Sequence, residues 1–220
     1  QTLGTFYLGK GPVDFSVEVV FTDPARDPDL EELKVFKMTL TDPTLGLSDP
    51  EVTRETALLF EGLKELANKG MIFGHQHATS YGQNWRGDAP PQVDFISDCF
   101  TSVGDHPGLF GFDVEWDHIE FEEQFEAIYR RGGIITCSFH AHNPVTGGNF
   151  RDKGDRTVAT ILAGGEHLVT YQQMLDKIAR LFNSIEVDGV KVPVIFRPLH
   201  EHTGGWFWWG GKTNFADLWK

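Results

Sequence analysis

The chain has 220 residues and a formal net charge of −13, with 18 phenylalanines and 6 tryptophans. This acidic balance argues against nucleic acid and anionic membranes as partners, since both need a basic face. It suits a neutral substrate, and the length is enough for one large domain or two small ones.

The cysteine count and the absence of long apolar runs bound the class of protein. Two cysteines, Cys99 and Cys137, do not make a disulfide framework in a chain of this size, and a free thiol is favoured at Cys137 because it falls in a predicted buried strand. No apolar run is long enough to span a membrane. The chain begins with Gln1 and has no basic-then-apolar leader, which indicates either a removed signal or a chain that starts at this point.

The first 47 residues differ in pattern from the rest. Stretches 15–21 and 33–40 alternate between apolar and polar residues, as half-exposed strands do, and Asp-Pro pairs separate them. We therefore predict an extended N-terminal segment over residues 1–47 that packs on a main domain of residues 48–220.

From Ser48 onward, predicted helices alternate with short apolar strands. A capping box with proline in the first turn begins a helix that ends at Gly70. Further helices are predicted over 93–103, 119–131 and 171–184, with Thr213 as the cap of another, and strands over 71–73, 109–114, 134–139 and 192–199. Strands that alternate with helices indicate a parallel sheet with both faces covered.

Polar side chains follow each predicted strand at its carboxyl end. They are His75 and His77; Asp113 and Glu115; His140, His142 and Asn143; and His200, Glu201 and His202. In parallel α/β folds the catalytic and ligand-binding residues lie at this end of the strands. No G-x-G-x-x-G and no phosphate-binding glycine loop with lysine follows the first strand, which argues against a nucleotide site.

The predicted fold is a (β/α)8 TIM barrel, because all four strand ends carry such side chains. A complete barrel takes roughly 250 residues, and residues 48–220 supply only about the first four of its βα units. Half a barrel would leave two open sheet edges. We therefore expect the remaining half of the barrel beyond Lys220.

The segment VIFRPLHEHTGGWFWWG, residues 194–210, joins a charged and imidazole-rich set to a run of aromatic rings. Aromatic rings such as Trp206 and Trp209 are typical of a sugar-binding surface, because one face of a pyranose is a patch of C–H groups. A glutamic acid among such rings can hold a proton near neutral pH and deliver it to a leaving oxygen. Glu201 is therefore the candidate general acid, with a structural pairing to Arg197 as the alternative.

Glycoside hydrolysis needs a second carboxylate, which lies roughly 5–5.5 Å from the first in retaining enzymes. Asp113 and Glu115 are possible partners, although for both we favour a strand end that binds hydroxyls. The motif His-x-His raises another alternative, because His75 and His77 on one strand face could converge on zinc, as in amidohydrolase-type barrels. The aromatic run beside Glu201 is not explained by metal hydrolysis, so we expect no metal and no other cofactor.

Three segments resemble those of glycoside hydrolase family 26, the β-mannanase family. FRPLHEHTGGWFWWG is similar to the family's fourth-strand signature, IFGHQHATSYG to its first-strand segment and SFHAHNP to its third. The resemblance covers about residues 48–220 and implies a (β/α)8 barrel with the acid/base on strand four and the nucleophile on strand seven. It places Glu201 on the acid/base position, His200 beside the sugar 2-hydroxyl and Trp206 on the stacking position near the cleavage point. It also places His140 and Asn143 in the substrate-binding segment.

The activity that the resemblance implies is that of a retaining endo-β-1,4-mannanase on mannan or galactomannan, with its nucleophile glutamate beyond Lys220. Within the family the alternatives are a β-1,3-xylanase and a mixed-linkage β-glucanase, and outside it a sugar-binding protein without turnover. The turn 202–205 replaces a Met-Asn-Gly-type turn, a change that affects subsites beyond the cleavage point. Residues expected to bind substrate are His75, Asp113, His140, Asn143, Arg197, His200, Trp206 and Trp209. Because polysaccharides stay outside the cytoplasm, we expect a secreted, cell-surface or periplasmic protein.

Overall fold

A computed structural model describes residues 14–18, 35–39, 51–67, 69–82, 85–86, 97–115, 121–154, 156–162, 164–212 and 214–219. The elements, in chain order, are β1 (Asp14–Glu18), β2 (Val35–Thr39), α1 (Arg54–Ala67), β3 (Gly74–Gln76), β4 (Tyr81–Gly82), β5 (Trp85–Arg86), α2 (Asp98–Val103), β6 (Leu109–Glu115), α3 (Glu122–Arg130), β7 (Ile134–His140), α4 (Thr157–Ile161), α5 (Leu168–Ser184), β8 (Glu186–Val187), β9 (Val190–Lys191), β10 (Val194–Arg197) and α6 (Phe215–Trp219).

The chain divides into two compact units, and the smaller one covers residues 4–71. In it β1 and β2 pair antiparallel, with Asp14 opposite Thr39 and Glu18 opposite Val35. The two strands confirm the alternating patterns where the structure describes them. Helix α1 belongs to the same unit, and Ala57 is its buried residue among those described. The predicted segment boundary between residues 47 and 48 stays a prediction.

The larger unit, residues 72–220 with residues 1–3, is built on a four-stranded sheet in the order β10-β7-β6-β3. All three pairings are parallel: Val194 lies opposite Ile135, Leu109 opposite Ile134, and Gly74 opposite Leu109. The prediction of a parallel sheet with intervening helices is therefore confirmed. Each strand lies beside the next one along the chain, so the order shows no reversal of the kind that marks a doubly wound sheet.

The central strand of this sheet is buried on both faces, as expected for a parallel strand between helices. Residues 135–139 of β7 are all buried. On α3 the buried side chains are Phe125 and Ile128, and the ring of Phe125 lies 4.8 Å from that of Phe112 on β6. Each such fully buried side chain contributes about 1.5–3 kcal/mol relative to an exposed one. The position of the strand ends is thus fixed by a well-buried sheet.

The first strand of the sheet is not where the apolar run predicted it. It covers Gly74–Gln76, and the preceding residues are exposed, Met71 at 96% and Phe73 at 65%. The carbonyl of Phe73 accepts from the amides of Gly108 and Leu109, but parallel pairing with β6 begins only at Gly74. The prediction of a buried strand at 71–73 was therefore wrong, because apolar character alone does not say where pairing starts.

Other predicted elements are shorter or lie partly outside the described residues. Helix α2 begins after Ser97, whose side chain accepts from the amide of Phe100, and residues 93–96 are outside the description. Also outside it are Ser48 and Pro50 of the predicted capping box and the cap predicted at Thr213. A hairpin, β8–β9, was missed; its turn has Asp188 at φ 54° and Gly189 at φ 81°, a pair that suits a two-residue turn.

Two further expectations have structural counterparts. Both cysteines are free thiols, Cys99 half-buried and Cys137 buried, as predicted for Cys137. Burial raises the pKa of Cys137 far above its ordinary value, so this thiol is inert. Across the described part of the chain, none of the helices combines the length and apolarity that crossing a membrane requires.

Candidate active site at the carboxyl ends of the strands

Three strand ends meet at one edge of the sheet because the strands are parallel and adjacent. The register sets Asp113 of β6 opposite Ser138 of β7, and Arg197 of β10 opposite the same serine. Glu115 lies opposite His140 at the end of β6 and β7. The predicted polar residues after separate strands are thus brought together by the sheet itself.

Asp113 binds two side chains of the neighbouring strand. Its Oδ1 accepts from Ser138 Oγ at 2.8 Å, and its Oδ2 forms a short contact with His140 Nδ1. Burial raises the pKa of the Asp113 carboxyl, but the hydrogen bonds from His140 and Ser138 outweigh it and hold this pKa below its usual range. The ionised carboxylate therefore fixes the orientation of the His140 ring, as outer-shell carboxylates do for histidines in many sites.

His140 and His200 form an aromatic cluster with Phe207. The two imidazoles meet edge to face at 4.7 Å between ring centroids, and Phe207 lies 5.1 Å from His140 and 5.4 Å from His200. Burial lowers the pKa of His200, and the neighbouring His140 lowers it further. Its buried Nδ1 has no hydrogen-bond partner among the described residues. A neutral His200 is thus held beside the carboxylate of Glu201.

Glu201 projects from a strained turn after β10. Both Glu201, at φ 54°, and Leu199, at φ 50°, have left-handed backbone conformations that non-glycine residues rarely adopt. Such conformations cost about 1–3 kcal/mol each and cluster at functional sites. The side chain is exposed, and its Oε2 accepts from Trp206 Nε1 at 2.7 Å. The turn therefore presents this carboxylate to the space outside the strand ends.

Arg197 is not the structural partner of Glu201. Its Nε donates to Thr136 Oγ1 at 3.2 Å, and that hydroxyl donates to the carbonyl of Ile195 at 3.2 Å. Within the ranges that the structure describes, no ion pair joins Arg197 to Glu201. The alternative in which Glu201 serves only to neutralise Arg197 is therefore unsupported, and the Arg197 guanidinium lies exposed beside the site.

The aromatic run after Glu201 is divided into one exposed ring and three buried ones. Trp206 is 48% exposed, whereas Phe207, Trp208 and Trp209 are buried. Trp208 donates to the carbonyl of Ala141 at 2.9 Å, and Trp209 to that of His200 at 2.8 Å. Trp206 thus offers the stacking face. Trp209 holds the backbone of His200 through this hydrogen bond. Its contact with substrate stays a prediction.

Asn143, predicted to bind substrate, is fully buried in the loop after β7. Its Nδ2 donates to the carbonyl of Asp152 at 2.6 Å and to Thr157 Oγ1 at 3.1 Å, and its Oδ1 accepts from the amides of Val145 and Thr146. All of its hydrogen-bonding capacity is used within the loop. The geometry gives Asn143 a role in shaping this loop, and direct contact with a sugar stays a prediction.

Phe150, which the sequence reasoning missed, is carried by the loop that Asn143 shapes. Its ring lies 4.3 Å from that of His140 and 5.7 Å from that of Phe207. Its carbonyl accepts from the amide of Trp208 at 3.1 Å. The only sequence signal for it was a single phenylalanine in a glycine- and asparagine-rich loop. In the structure this ring packs on the aromatic cluster of His140, His200 and Phe207.

His75 and His77 do not converge in the way that the zinc alternative requires. His75 is in the strand, but His77 has φ 52°, outside strand geometry, and stacks on Tyr81 at 5.2 Å. Each has a buried Nδ1 without a hydrogen-bond partner among the described residues. Over those residues, the only set of three potential ligand atoms within 4.8 Å is that of Asp113, Glu115 and His140, and it includes neither histidine. Among the described residues, His75 and His77 thus join no set of three potential ligands.

Two curated relatives are similar to most of this chain. A mannan endo-1,4-beta-mannosidase of Bacillus subtilis (strain 168) is 32% identical over 191 residues, which cover 76% of this chain and 48% of the relative. A mannan endo-1,4-beta-mannosidase of Bifidobacterium adolescentis is 31% identical over 194 residues, covering 80% of this chain and 19% of the relative. This chain therefore spans less than half the length of these two relatives.

Solved structures are similar to most of this chain as well. A GH26 beta-mannanase from Bacteroides ovatus superposes with a TM-score of 0.66 at 38% identity, covering 72% of this chain and 49% of that one. GH26C from a Muricauda species gives a TM-score of 0.68 at 31% identity, with coverages of 78% and 51%. The model of the family described as glycosyl hydrolase family 26 matches residues 48–220. The chain belongs to glycosyl hydrolase family 26.

Proposed function

We propose that this chain supplies the acid/base half of a retaining endo-β-1,4-mannanase that hydrolyses mannan or galactomannan. The observation that carries the proposal is the carboxylate of Glu201, presented by a strained turn after β10 and bonded to the exposed Trp206. Relatives named as mannan endo-1,4-beta-mannosidases align with most of this chain. The expected export of the protein follows from the size of such a substrate.

The proposed complete fold is a closed (β/α)8 barrel, whose remaining strands and nucleophile glutamate lie beyond Lys220. Four parallel strands in chain order, from β3 to β10, are compatible with the first half of such a barrel. The coverage of about half of the Bacteroides ovatus structure supports the same proposal. Closure would also pair the outer edge of β3 and the outer edge of β10 with strands of the remaining half.

The reaction has two steps, and Glu201 acts in both. In the first, the nucleophile carboxylate attacks the anomeric carbon while Glu201 gives its proton to the departing glycosidic oxygen. In the second, the ionised Glu201 takes a proton from water, whose oxygen displaces the nucleophile from the same carbon. The net result is hydrolysis with retention of configuration, and neither step needs a metal or redox cofactor.

The surrounding residues are proposed to bind and orient the sugar. Neutral His200 and the Asp113-held His140 meet edge to face at the strand ends and can exchange hydrogen bonds with hydroxyls. The exposed face of Trp206 can stack on a pyranose ring near the cleavage point. Arg197 and His75 complete the proposed set at the strand ends, where each is accessible or half-buried.

The proposal is tested by replacing the proposed acid/base in the complete enzyme. Glu201→Ala is expected to lose about 100-fold or more of mannan hydrolysis, the scale of general acid–base catalysis. Glu186→Ala removes an exposed carboxylate from the β8–β9 hairpin, which leads into the amino end of β10, and is expected to leave the rate unchanged. Mannan hydrolysis by Glu201→Ala at the wild-type rate would refute the assignment.

The substrate is decided by a product profile. Reducing ends released from mannan, β-1,3-xylan and lichenan separate a mannanase from the β-1,3-xylanase and mixed-linkage glucanase alternatives. Mannose differs from glucose by its axial 2-hydroxyl. The preference for mannan over lichenan therefore measures how strongly the residues around His200 favour that hydroxyl. Binding of mannan without release of reducing ends would instead indicate a sugar-binding protein without turnover.

A further inference from the structure

Gly204 packs against the six-membered ring of Trp206. The residue is buried, and a Cβ atom built on it would lie 2.3 Å from both Cη2 and Cζ2 of Trp206 and 2.6 Å from Cε2. Distances below about 3.0 Å do not occur for real Cβ atoms. The next residue, Gly205, is exposed, and a Cβ on it would meet nothing within 4 Å. Of two adjacent glycines, only Gly204 therefore makes room for the indole.

The backbone of Gly204 is fixed on its other sides. Its amide donates to the carbonyl of Glu201 at 2.9 Å. Its carbonyl oxygen is packed against Gly210, where an added Cβ would lie 2.2 Å away from it. The backbone of Gly204 is thus held by a hydrogen bond and by the close approach of Gly210, whereas Trp206 is half-exposed and can swing outward. A methyl group on Gly204 would therefore move the indole and leave the backbone in place.

We propose that Gly204 is a positioning residue that sets the indole of Trp206 where its Nε1 reaches Glu201 Oε2. The hydrogen bond at 2.7 Å and the exposed stacking face both depend on the same ring position. Displacing the ring removes a donor to the carboxylate and tilts the stacking surface beside it. This inference rests on the proposed acid/base role of Glu201, and it adds a residue that has no side chain of its own.

Matched alanine substitutions in the complete enzyme test the proposal. Gly204→Ala is expected to lower kcat/KM on mannan about 10- to 100-fold, the scale of losing a hydrogen bond to a charged group. The loss should be smaller on an aryl mannoside with a good leaving group, because departure of that group needs less help from an acid. Gly205→Ala, the same chemical change one residue away, is expected to stay within about twofold of wild type.

A double-mutant cycle separates an effect through Trp206 from a general structural effect. The smaller ring of phenylalanine lacks the indole atoms that a Cβ on Gly204 would strike. Adding Gly204→Ala to Trp206→Phe should therefore lower kcat/KM on mannan by less than about twofold. The same change in the wild type should lower it much more. If Gly204→Ala fails to fold, the double variant should fold, as followed by thermal unfolding.

Each outcome decides between this inference and the proposed function. If Gly204→Ala equals Gly205→Ala while Glu201→Ala is inactive on mannan, the positioning role is overturned and the function stands. Additive losses in the cycle, or failure of the double variant to fold, also overturn it, because the methyl group would then strike something other than the indole. If Glu201→Ala keeps the wild-type rate on mannan, the proposed function fails first.

Discussion

Trp206 donates its indole Nε1–H to Oε2 of Glu201 at 2.7 Å, across five residues of a turn that follows β10. One oxygen of the carboxylate is thus held, and in the proposed mechanism the other, Oε1, serves the substrate. The bond also fixes the exposed ring of Trp206 beside that carboxylate. In the proposed mechanism, proton delivery by Glu201 and sugar stacking on Trp206 are therefore coupled through this one hydrogen bond.

Trp206→Phe keeps an aromatic face and removes the N–H donor. We expect kcat on mannan to fall about 10-fold or more, the scale of losing a hydrogen bond to a charged group. Trp219→Phe in α6 is the matched control, because Trp219 is 60% exposed and it is the indole of Trp206 that donates to Glu201. Steady-state kinetics of both variants make the comparison. An unchanged kcat for Trp206→Phe would show that this donor does not act in the reaction.

Asn143→Ala is expected to destabilise the protein by about 2–4 kcal/mol, because it leaves several buried groups of the loop without partners. The loss of order in this loop should also move Phe150, so activity should fall together with stability. Asn149→Ala removes the same side chain from an exposed position, where Oδ1 accepts only from the amide of Arg151. Denaturant unfolding should find a loss of less than about 1 kcal/mol for it. Equal losses in the free energy of unfolding for the two variants would contradict the role of Asn143 in shaping the loop.

His77 links stability to pH. Burial lowers its pKa below the ordinary value, with Asp113 acting weakly in the opposite direction. The unfolded state therefore binds a proton at His77 more readily than the folded state does. The contribution of His77 to the free energy of unfolding is complete above the unfolded pKa of about 6.5, and it is lost as pH falls toward the folded pKa. His77→Gln should flatten the decline in the free energy of unfolding below about pH 6.5. Parallel pH profiles for the variant and the wild type would contradict this assignment.

The sheet was largely predictable from the sequence where strands are continuous apolar runs. Strands β6 and β7 begin at the predicted residues and extend one residue beyond the predicted ends. Strand β3 was misplaced because Met71 and Phe73 are apolar without being buried in the described structure. The Asp188-Gly189 signal for the β8–β9 hairpin was present in the sequence and was not used.

The site was predictable in its members more than in their orientations. Parallel strands guarantee that Asp113, His140 and Glu201 come to one edge, so their proximity followed from the element order. The run 206–209 lies in an irregular turn, and no helical or strand period tells which ring is exposed. The contacts of Asn143 and Gly204 depend on loop geometry, which spacing along the chain does not encode.

Azide rescue of Glu201→Ala tests the central claim most directly. An aryl mannoside with a good leaving group should still form the glycosyl-enzyme without acid help, and azide, which needs no general base, should then displace the nucleophile from the anomeric carbon. The account predicts a rate that rises with azide and a β-mannosyl azide product, detected by NMR. No acceleration, or an α-configured azide, would contradict the role of Glu201 as acid/base of a retaining mannanase.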